Sequence, residues 1–270
     1  MVQRSGWLPI SSGISTGARV CAIGDVHGCA RQFNEILTAF AAELGDYDET
    51  SLVLTGDLND RGPDSVRAID TAIAAHEHGF NRLIPLMGNH EQMLRLASCS
   101  DHLHERRSWF LNGGTSVMRE LGLSPEIRFA PTAEFTGAIT AALGAERMRF
   151  LHELSYHWRI GNLLFVHAGI DFSNSLDAHL AQPWHLLNDW HWAWIRAGFL
   201  NRTSPYPDLT IIHGHTPVNR SLGMADPLQP HLLNGGKINL DGGSFGTGFV
   251  AAAEFIPGAY RISLAGGAHG

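Results

Sequence analysis

Five times along this chain a short apolar run stops at a cluster of residues able to bind ions or move protons. Val20–Ile23 leads into Gly24-Asp25-Val26-His27-Gly28, and Leu52–Leu54 into the stretch Gly56-Asp57-Leu58-Asn59-Asp60-Arg61-Gly62. Leu83–Met87 leads into Gly88-Asn89-His90-Glu91, Leu163–Val166 into His167, and Thr210–Ile212 into His213-Gly214-His215. The first three runs are separated by helical patterns. Phe33, Ile36, Leu37, Phe40 and Leu44 fall at three-and-four spacing, which predicts a helix closed by Gly45. Pro63 suits a helix first turn, with Val66, Ile69 and Ile73 on one face and Gly79 as the stop. Strand-helix-strand-helix-strand order implies an α/β fold with a largely parallel sheet. In such a sheet the ligand crevice lies outside the carboxyl ends of the strands, so the five polar clusters are expected to meet there.

Pro85 interrupts the third strand and, having no N–H to give a ladder, predicts an irregularity. Residues from about 99 to 158 read as a helical insertion, with a turn at Asn112-Gly113-Gly114 and a loop near Ser124-Pro125. Short strands near Lys237–Leu240, Phe249–Ala253 and Tyr260–Leu264 suggest antiparallel pairing at the end. Residues 19–270 are read as one domain, and residues 1–18 as either unstructured or an edge strand.

With 44% apolar residues in 270 the chain can bury a large core, which excludes a disordered or collagen-like protein. A net charge of −7 argues against a nucleic-acid polymer or an acidic membrane surface as partner. The first twenty residues hold Arg4 and Arg19 but no signal-like apolar run, and no run approaches the roughly 18 residues of a membrane span, so a soluble cytoplasmic protein is expected. Cys21, Cys29 and Cys99 lack metal or disulfide spacing and are expected to be buried small hydrophobes. Sixteen histidines invite a metal or acid–base role without locating one.

Singly, each strand-end residue has an ordinary alternative: an aspartate as helix cap, a histidine as a hydrogen-bonded surface or core residue. Jointly they offer carboxylate, amide and imidazole donors, a set suited to manganese, iron or zinc, with no thiolate among them.

These motifs, together with Gln92-Met93 after Glu91, Leu111-Asn112-Gly113-Gly114, and Gly214-His215-Thr216-Pro217, resemble the calcineurin-like metallophosphoesterases. Asp60-Arg61-Gly62 points to the phosphoprotein phosphatase branch, and the whole is most similar to the bacterial and bacteriophage-lambda-type serine/threonine phosphatases, over about Val20 to Phe249. The resemblance implies a two-sheet β-sandwich flanked by helices. It implies two divalent ions, manganese first, with iron or zinc as alternatives. Asp25, His27 and Asp57 would hold one; Asp57, Asn89, His167 and His215 would hold the other. A water shared by the ions would attack phosphorus directly. His90 would protonate the leaving oxygen, Asp60 would orient His90 and favour its protonated form, and Arg61 would grip the phosphate, with Asn89 also against it. A second phosphate arginine is expected downstream, Arg196 first and Arg202 as the fallback.

Asn59 stands where the motif usually has an apolar residue, and is expected to point away from the ligands. Pro217 removes the second histidine of the Gly-His-x-His pair found in many relatives. His215 therefore takes the ligand role and His213 is expected to pack at the strand end. Four of the seven tryptophans lie between Trp184 and Trp194, either packing that segment or roofing the site. His102, His104, His152 and His157 receive no role. The function implied is a phosphomonoesterase acting on proteins phosphorylated at serine, threonine or also tyrosine. The alternative is a symmetrical diadenosine-tetraphosphate hydrolase acting on a nucleotide, and behind it a phosphate-binding module without turnover.

Overall fold

The computed structural model describes residues 2–100, 102–218 and 226–266. In chain order its elements are β1 (Val2–Arg4), β2 (Leu8–Pro9), β3 (Ala18–Ile23), α1 (Ala30–Ala41), β4 (Glu49–Leu54), α2 (Ser65–Ile73), β5 (Arg82–Pro85) and α3 (Asn89–Cys99). Then come α4 (Leu103–Leu111), α5 (Thr115–Glu120), α6 (Thr132–Glu153), β6 (His157–Ile160), β7 (Leu163–Val166), α7 (Leu176–Leu180) and α8 (Ala197–Leu200). The chain closes with β8 (Thr210–His213), β9 (Lys237–Asn239), α9 (Ser244–Thr247), β10 (Val250–Ile256) and β11 (Ala259–Ala265).

The strands form two sheets. The larger runs β1-β11-β10-β3-β4-β5, with β2 also on β11, and the smaller runs β6-β7-β8-β9. β3, β4 and β5 are parallel, in a register that sets Ile23 beside Leu54 and Leu54 beside Pro85. β7, β8 and β9 are parallel too, with Phe165 beside Ile212 and His213 beside Asn239. Each parallel set therefore ends level, which brings its polar clusters to one edge.

The long strands are buried along most of their length and largely apolar on both faces, as expected where both are covered. Val20, Ala22, Val53, Ile84, Phe165, Ile212, Ile238 and Phe255 fill the space between the sheets. The alternate residues Cys21, Ile23, Leu52 and Leu54 pack outward on Phe33, Ile36, Leu37 and Phe40 of α1 and on Ala68 and Ala72 of α2. Leu164, Val166 and Ile211 of the smaller sheet pack on α3, α6 and Trp192. This is the two-sheet, helix-flanked α/β architecture that the resemblance implied.

Local differences have local causes. α1 begins at Ala30 and ends at Ala41, and Gly45 lies inside a following 3-10 turn rather than closing the helix. Gly79 does close the turn after α2, at φ 89°. β5 stops at Pro85. The Leu86 N–H bonds to the Leu54 carbonyl at 2.8 Å, so the proline nitrogen faces the open edge, where the Pro85 carbonyl accepts the Ser155 N–H at 3.0 Å. The helical insertion read over about 99–158 gives way at its end to a strand: β6 is an edge strand with a weak alternation of exposed and half-buried residues, too short to register as a pattern. Residues 2–4 form β1, paired with β11 at the other edge. Cys21 and Cys29 are buried, but Cys99, at the end of α3, is exposed because the helix turns it to the surface. Among the described residues, no helix is long and apolar enough to cross a membrane.

Near the amino end of β3 the packing includes charge. Arg19 and Glu254 are fully buried and paired, and Arg261 also bonds Glu254. Arg261 lies 2.5 Å from Glu43, and the Arg19 guanidinium sits 5.3 Å from the centre of the Tyr47 ring. Removing one member of such a group strands its partners in a dry interior. Glu254→Ala is expected to cost about 3–5 kcal/mol, read from urea unfolding, and a loss below about 1 kcal/mol would show that the arginines find water instead.

Candidate active site

The loops leaving β3 and β4 are tied to each other by backbone. The N–H groups of Val26 and His27 both donate to the Asp57 carbonyl, at 3.0 and 2.8 Å, and Gly28 donates to Leu58 at 2.8 Å. Among the described residues, five that are not glycine have left-handed backbones: His27 (φ 42°), Asp57 (56°), Asp60 (69°), Arg61 (69°) and His215 (69°). Bulky residues hold such angles only where surroundings force them, and such strain gathers at functional sites. All five lie at this edge.

Asp57 sits at the centre. His27 Nε2 lies 3.5 Å from its carboxylate, His167 Nε2 3.3 Å and His90 Nε2 3.9 Å. Asn89 Oδ1 lies 3.0 Å from His167 Nε2 and 2.8 Å from His215 Nδ1. Each of these three rings other than His90 gives its outer N–H to a backbone carbonyl: His27 Nδ1 to Asn59 (3.0 Å), His167 Nδ1 to Thr55 (2.8 Å), and His215 Nε2 to Trp194 (3.1 Å). The remaining lone pairs then aim inward, the arrangement that fixes imidazoles as metal ligands.

Two groups, His27 with Asp57 and His90, and Asp57 with His167 and His215, have ligand atoms within 4.8 Å of one another. His90 enters the first group by proximity, but its Nδ1 is engaged by Asp60 at 2.7 Å. Asp25 is the better complement. Its Oδ2 accepts the His215 N–H at 2.9 Å, while its Oδ1 is buried without a partner. That orphaned oxygen and the inward lone pairs fit a cation.

The charges agree. Burial opposes the charge on Asp57, but His167, His90 and His27 together hold its carboxyl well below the usual range. Burial pushes His27 down to about 3, and drives His215 down as well, so both are neutral donors. Burial works against His167 too, but Asp57 outweighs it and raises the ring. Burial and the neighbouring Asp241 and Asp57 push Asp25 well above the carboxylate range. A cation binding there would displace its proton.

Asp241 is a member of the site that sequence reading missed. It is buried, hydrogen-bonded to Asp25, and pushed up to about 6 by burial. It lies two residues past the end of β9, so the rule that picks the other five strand ends reaches it as a sixth. Glu91 was also passed over. From the third position of α3 its carboxylate accepts the N–H groups of Asp57 (2.8 Å), Leu58 (2.7 Å) and Gly88 (2.9 Å), and so joins the second and third loops.

His90 and Asp60 are fully buried, with His90 Nε2 lacking a partner in the protein. Trp109, in α4, donates its indole N–H to both Asp60 oxygens, at 3.0 and 3.1 Å. A lone tryptophan in a helical stretch carries no sequence signal for this. The Asn112-Gly113-Gly114 turn makes it fit: a Cβ on Gly114 would lie 2.3 Å from the indole, and one on Gly113, at φ 108°, 2.8 Å from Arg61 Cγ. Burial pushes Asp60 up to about 7 and His90 down to about 4. Burial thus works against charge on either group in the protein alone, while the 2.7 Å bond to Asp60 fixes the orientation of the His90 ring. Asn59 is buried, and its side chain lies beside Asp60 and the His90 carbonyl, 3.5 Å from the latter.

Arg61 stands at the mouth. Its Nη1 is 3.2 Å from His27 Nε2, and its guanidinium lies 5.1 Å from the exposed Phe245 ring. Arg196 reaches the His215 carbonyl (3.4 Å) and Thr216 Oγ1 (3.3 Å), beside the site, whereas Arg202 rests over Phe172. His213 packs edge-on against Phe199, with ring centres 4.9 Å apart. The tryptophans divide: Trp192 is buried and stacks on Tyr156, Trp190 is exposed, and Trp194 lies 6.3 Å from the His215 ring.

Known proteins share this frame. The chain is 25% identical over 279 residues to the asymmetrical bis(5'-nucleosyl)-tetraphosphatase PrpE of Oceanobacillus iheyensis, covering 90% of this chain and 93% of that one. It is 34% identical over 95 residues to serine/threonine-protein phosphatase 1 of Salmonella typhimurium, covering 35% of this chain and 38% of the relative. A crystal structure of a mutant cold-active protein tyrosine phosphatase superposes with a TM-score of 0.51 at 17% identity, covering 93% and 83% of the two chains, which shows the common fold. The family model described as calcineurin-like phosphoesterase matches residues 18–240, a range that includes the five strand-end clusters from Asp25 to His215. The chain therefore belongs to the calcineurin-like phosphoesterases and is a phosphoric-ester hydrolase.

Proposed function

We propose that the protein is a dinuclear-metal phosphomonoesterase whose substrates are proteins phosphorylated on serine or threonine, with phosphotyrosine also accepted. The observation that carries this reading is the buried His90–Asp60 couple, 2.7 Å apart, whose free Nε2 faces the same space as the inward ligand atoms. Asp25, His27 and Asp57 would hold one ion, and Asp57, Asn89, His167 and His215 the other. Manganese is the first choice for this oxygen-and-nitrogen set, with iron and zinc as alternatives. When bound, the ions supply a water of lowered pKa and compensate charge at phosphorus.

The chain's own residues do the rest. Arg61 meets the phosphate oxygens with its planar fork, and Arg196 approaches from the opposite rim. Asn89 presents its amide beside them. The anionic phosphate favours proton uptake by His90 at Nε2, which passes that proton to the leaving oxygen. Asp60 accepts from Nδ1, and Trp109 holds Asp60 in place.

A second reading is supported by a different observation. The relative aligned over nearly the whole chain is named a bis(5'-nucleosyl)-tetraphosphatase, and Phe245 offers an exposed ring beside Arg61 on which a base could stack. That relative is named asymmetrical, so under this reading the protein is a diadenosine-tetraphosphate hydrolase, either of the symmetrical kind the sequence suggested or of the asymmetrical kind of that relative. Purified protein with manganese, assayed on an aryl phosphate, phosphopeptides and diadenosine tetraphosphate, separates the two. Turnover of phosphopeptides supports the phosphatase, and turnover of the dinucleotide alone sinks it. Two bound metals with no turnover of any of the three would leave a phosphate-binding module.

His90→Asn is expected to keep both metals and lose roughly two to four orders of magnitude in kcat, and undiminished turnover would remove His90 from the mechanism. Asp57→Asn is expected to lose metal, as measured by elemental analysis of the purified variant, and full occupancy would contradict the bridging position. Trp109→Phe leaves the Asp60 carboxylate short of a donor and is expected to cost about 1–3 kcal/mol in urea unfolding, with metal content unchanged.

A further inference from the structure

Gln92 is fully buried on α3, two residues beyond His90, and its side chain is a three-way junction. Its amide nitrogen donates to the carbonyls of Trp184 and Leu186, the latter at 3.0 Å, and its oxygen accepts the Trp194 indole N–H at 2.5 Å. Trp194 connects this junction to the site. Its carbonyl accepts the Nε2–H of His215 at 3.1 Å, and two residues on, Arg196 reaches the His215 carbonyl and Thr216.

The chemistry at His215 makes that carbonyl matter. Its Nδ1 faces the acceptor oxygen of Asn89 at 2.8 Å. It can present a lone pair to a cation there only while the ring's proton stays on Nε2. The Trp194 carbonyl is the acceptor that keeps it there. We propose that Gln92 is a positioning residue for phosphoryl transfer, acting through Trp194 to fix the ring of His215 and the reach of Arg196. This rests on His215 being a metal ligand and Arg196 a phosphate contact.

The test uses the full chain with Mn2+ alone, followed by calorimetry, then inorganic phosphate on the Mn2+-loaded protein, and the split of KM from kcat on an aryl phosphate. Gln92→Leu roughly keeps the volume and removes the junction; Trp194→Phe keeps a six-membered aromatic ring and removes the indole N–H together with its five-membered ring. Each is expected to weaken one of two Mn2+ sites about 10–100-fold, the usual effect of disturbing a ligand's supporting hydrogen bonds, and to raise KM more than it lowers kcat. The double variant is expected to be no weaker than the worse single one, because both cut the same path. Unchanged Mn2+ affinity and KM in folded Trp194→Phe, whether or not thermal stability falls, would overturn the proposal. This holds even if Gln92→Leu does not fold. His215→Asn is the control: should it bind two Mn2+ ions like the parent, the ligand reading fails rather than the relay.

Discussion

The site depends on how one residue's backbone and side chain are both used. The Asp57 carbonyl accepts from the loop after β3, its N–H donates to Glu91 in α3, and its carboxylate accepts the N–H of His90 at 3.0 Å. The same carboxylate lies within 3.5 Å of His27 and His167, from opposite sheets. A left-handed backbone at Asp57 makes all of these simultaneous. With that angle changed, the first and third loops would lose the partner they share, and the two groups of ligand atoms would no longer meet.

How much of this was legible follows from range. Strand ends and the residue types after them are local features, and parallel register turns them into a convergent edge. Asp25, His27, Asp57, Asn89, His167 and His215 could therefore be named together from the sequence. Asp241 obeyed the same rule but was passed over because the strand near Lys237–Leu240 was expected to pair antiparallel, whereas β9 lies parallel to β8 and so ends at the same edge. Trp109 and Gln92 could not be found that way. Their partners lie 49 and about 100 residues away, and nothing in the local pattern of either helix distinguishes a side chain that only packs from one that holds a distant polar group. The charged group at Arg19 and Glu254 was illegible for the same reason, since a strand pairing across 235 residues creates it.

Electrostatics is less legible than geometry. The sequence supplies the charge of Asp60, but not the depth of Asp60 and His90, whose burial pushes the one up and the other down. Likewise, a chain with a net charge of −7 concentrates buried carboxylates at Asp25, Asp57 and Asp241, and these require positive partners to coexist. A phosphate can be drawn to this edge only once that local excess is compensated by cations, with Arg61 and Arg196 at the rim.

The five left-handed residues around the site carry a consequence for how this protein can change. Glycine would relax each of those backbones without a Cβ penalty. Four of those side chains, at His27, Asp57, Asp60 and Arg61, belong to just two loops. Selection or engineering for thermal robustness alone would thus find its easiest gains by erasing the chemistry. The sequence that folds best on this frame and the sequence that works best on it are different sequences.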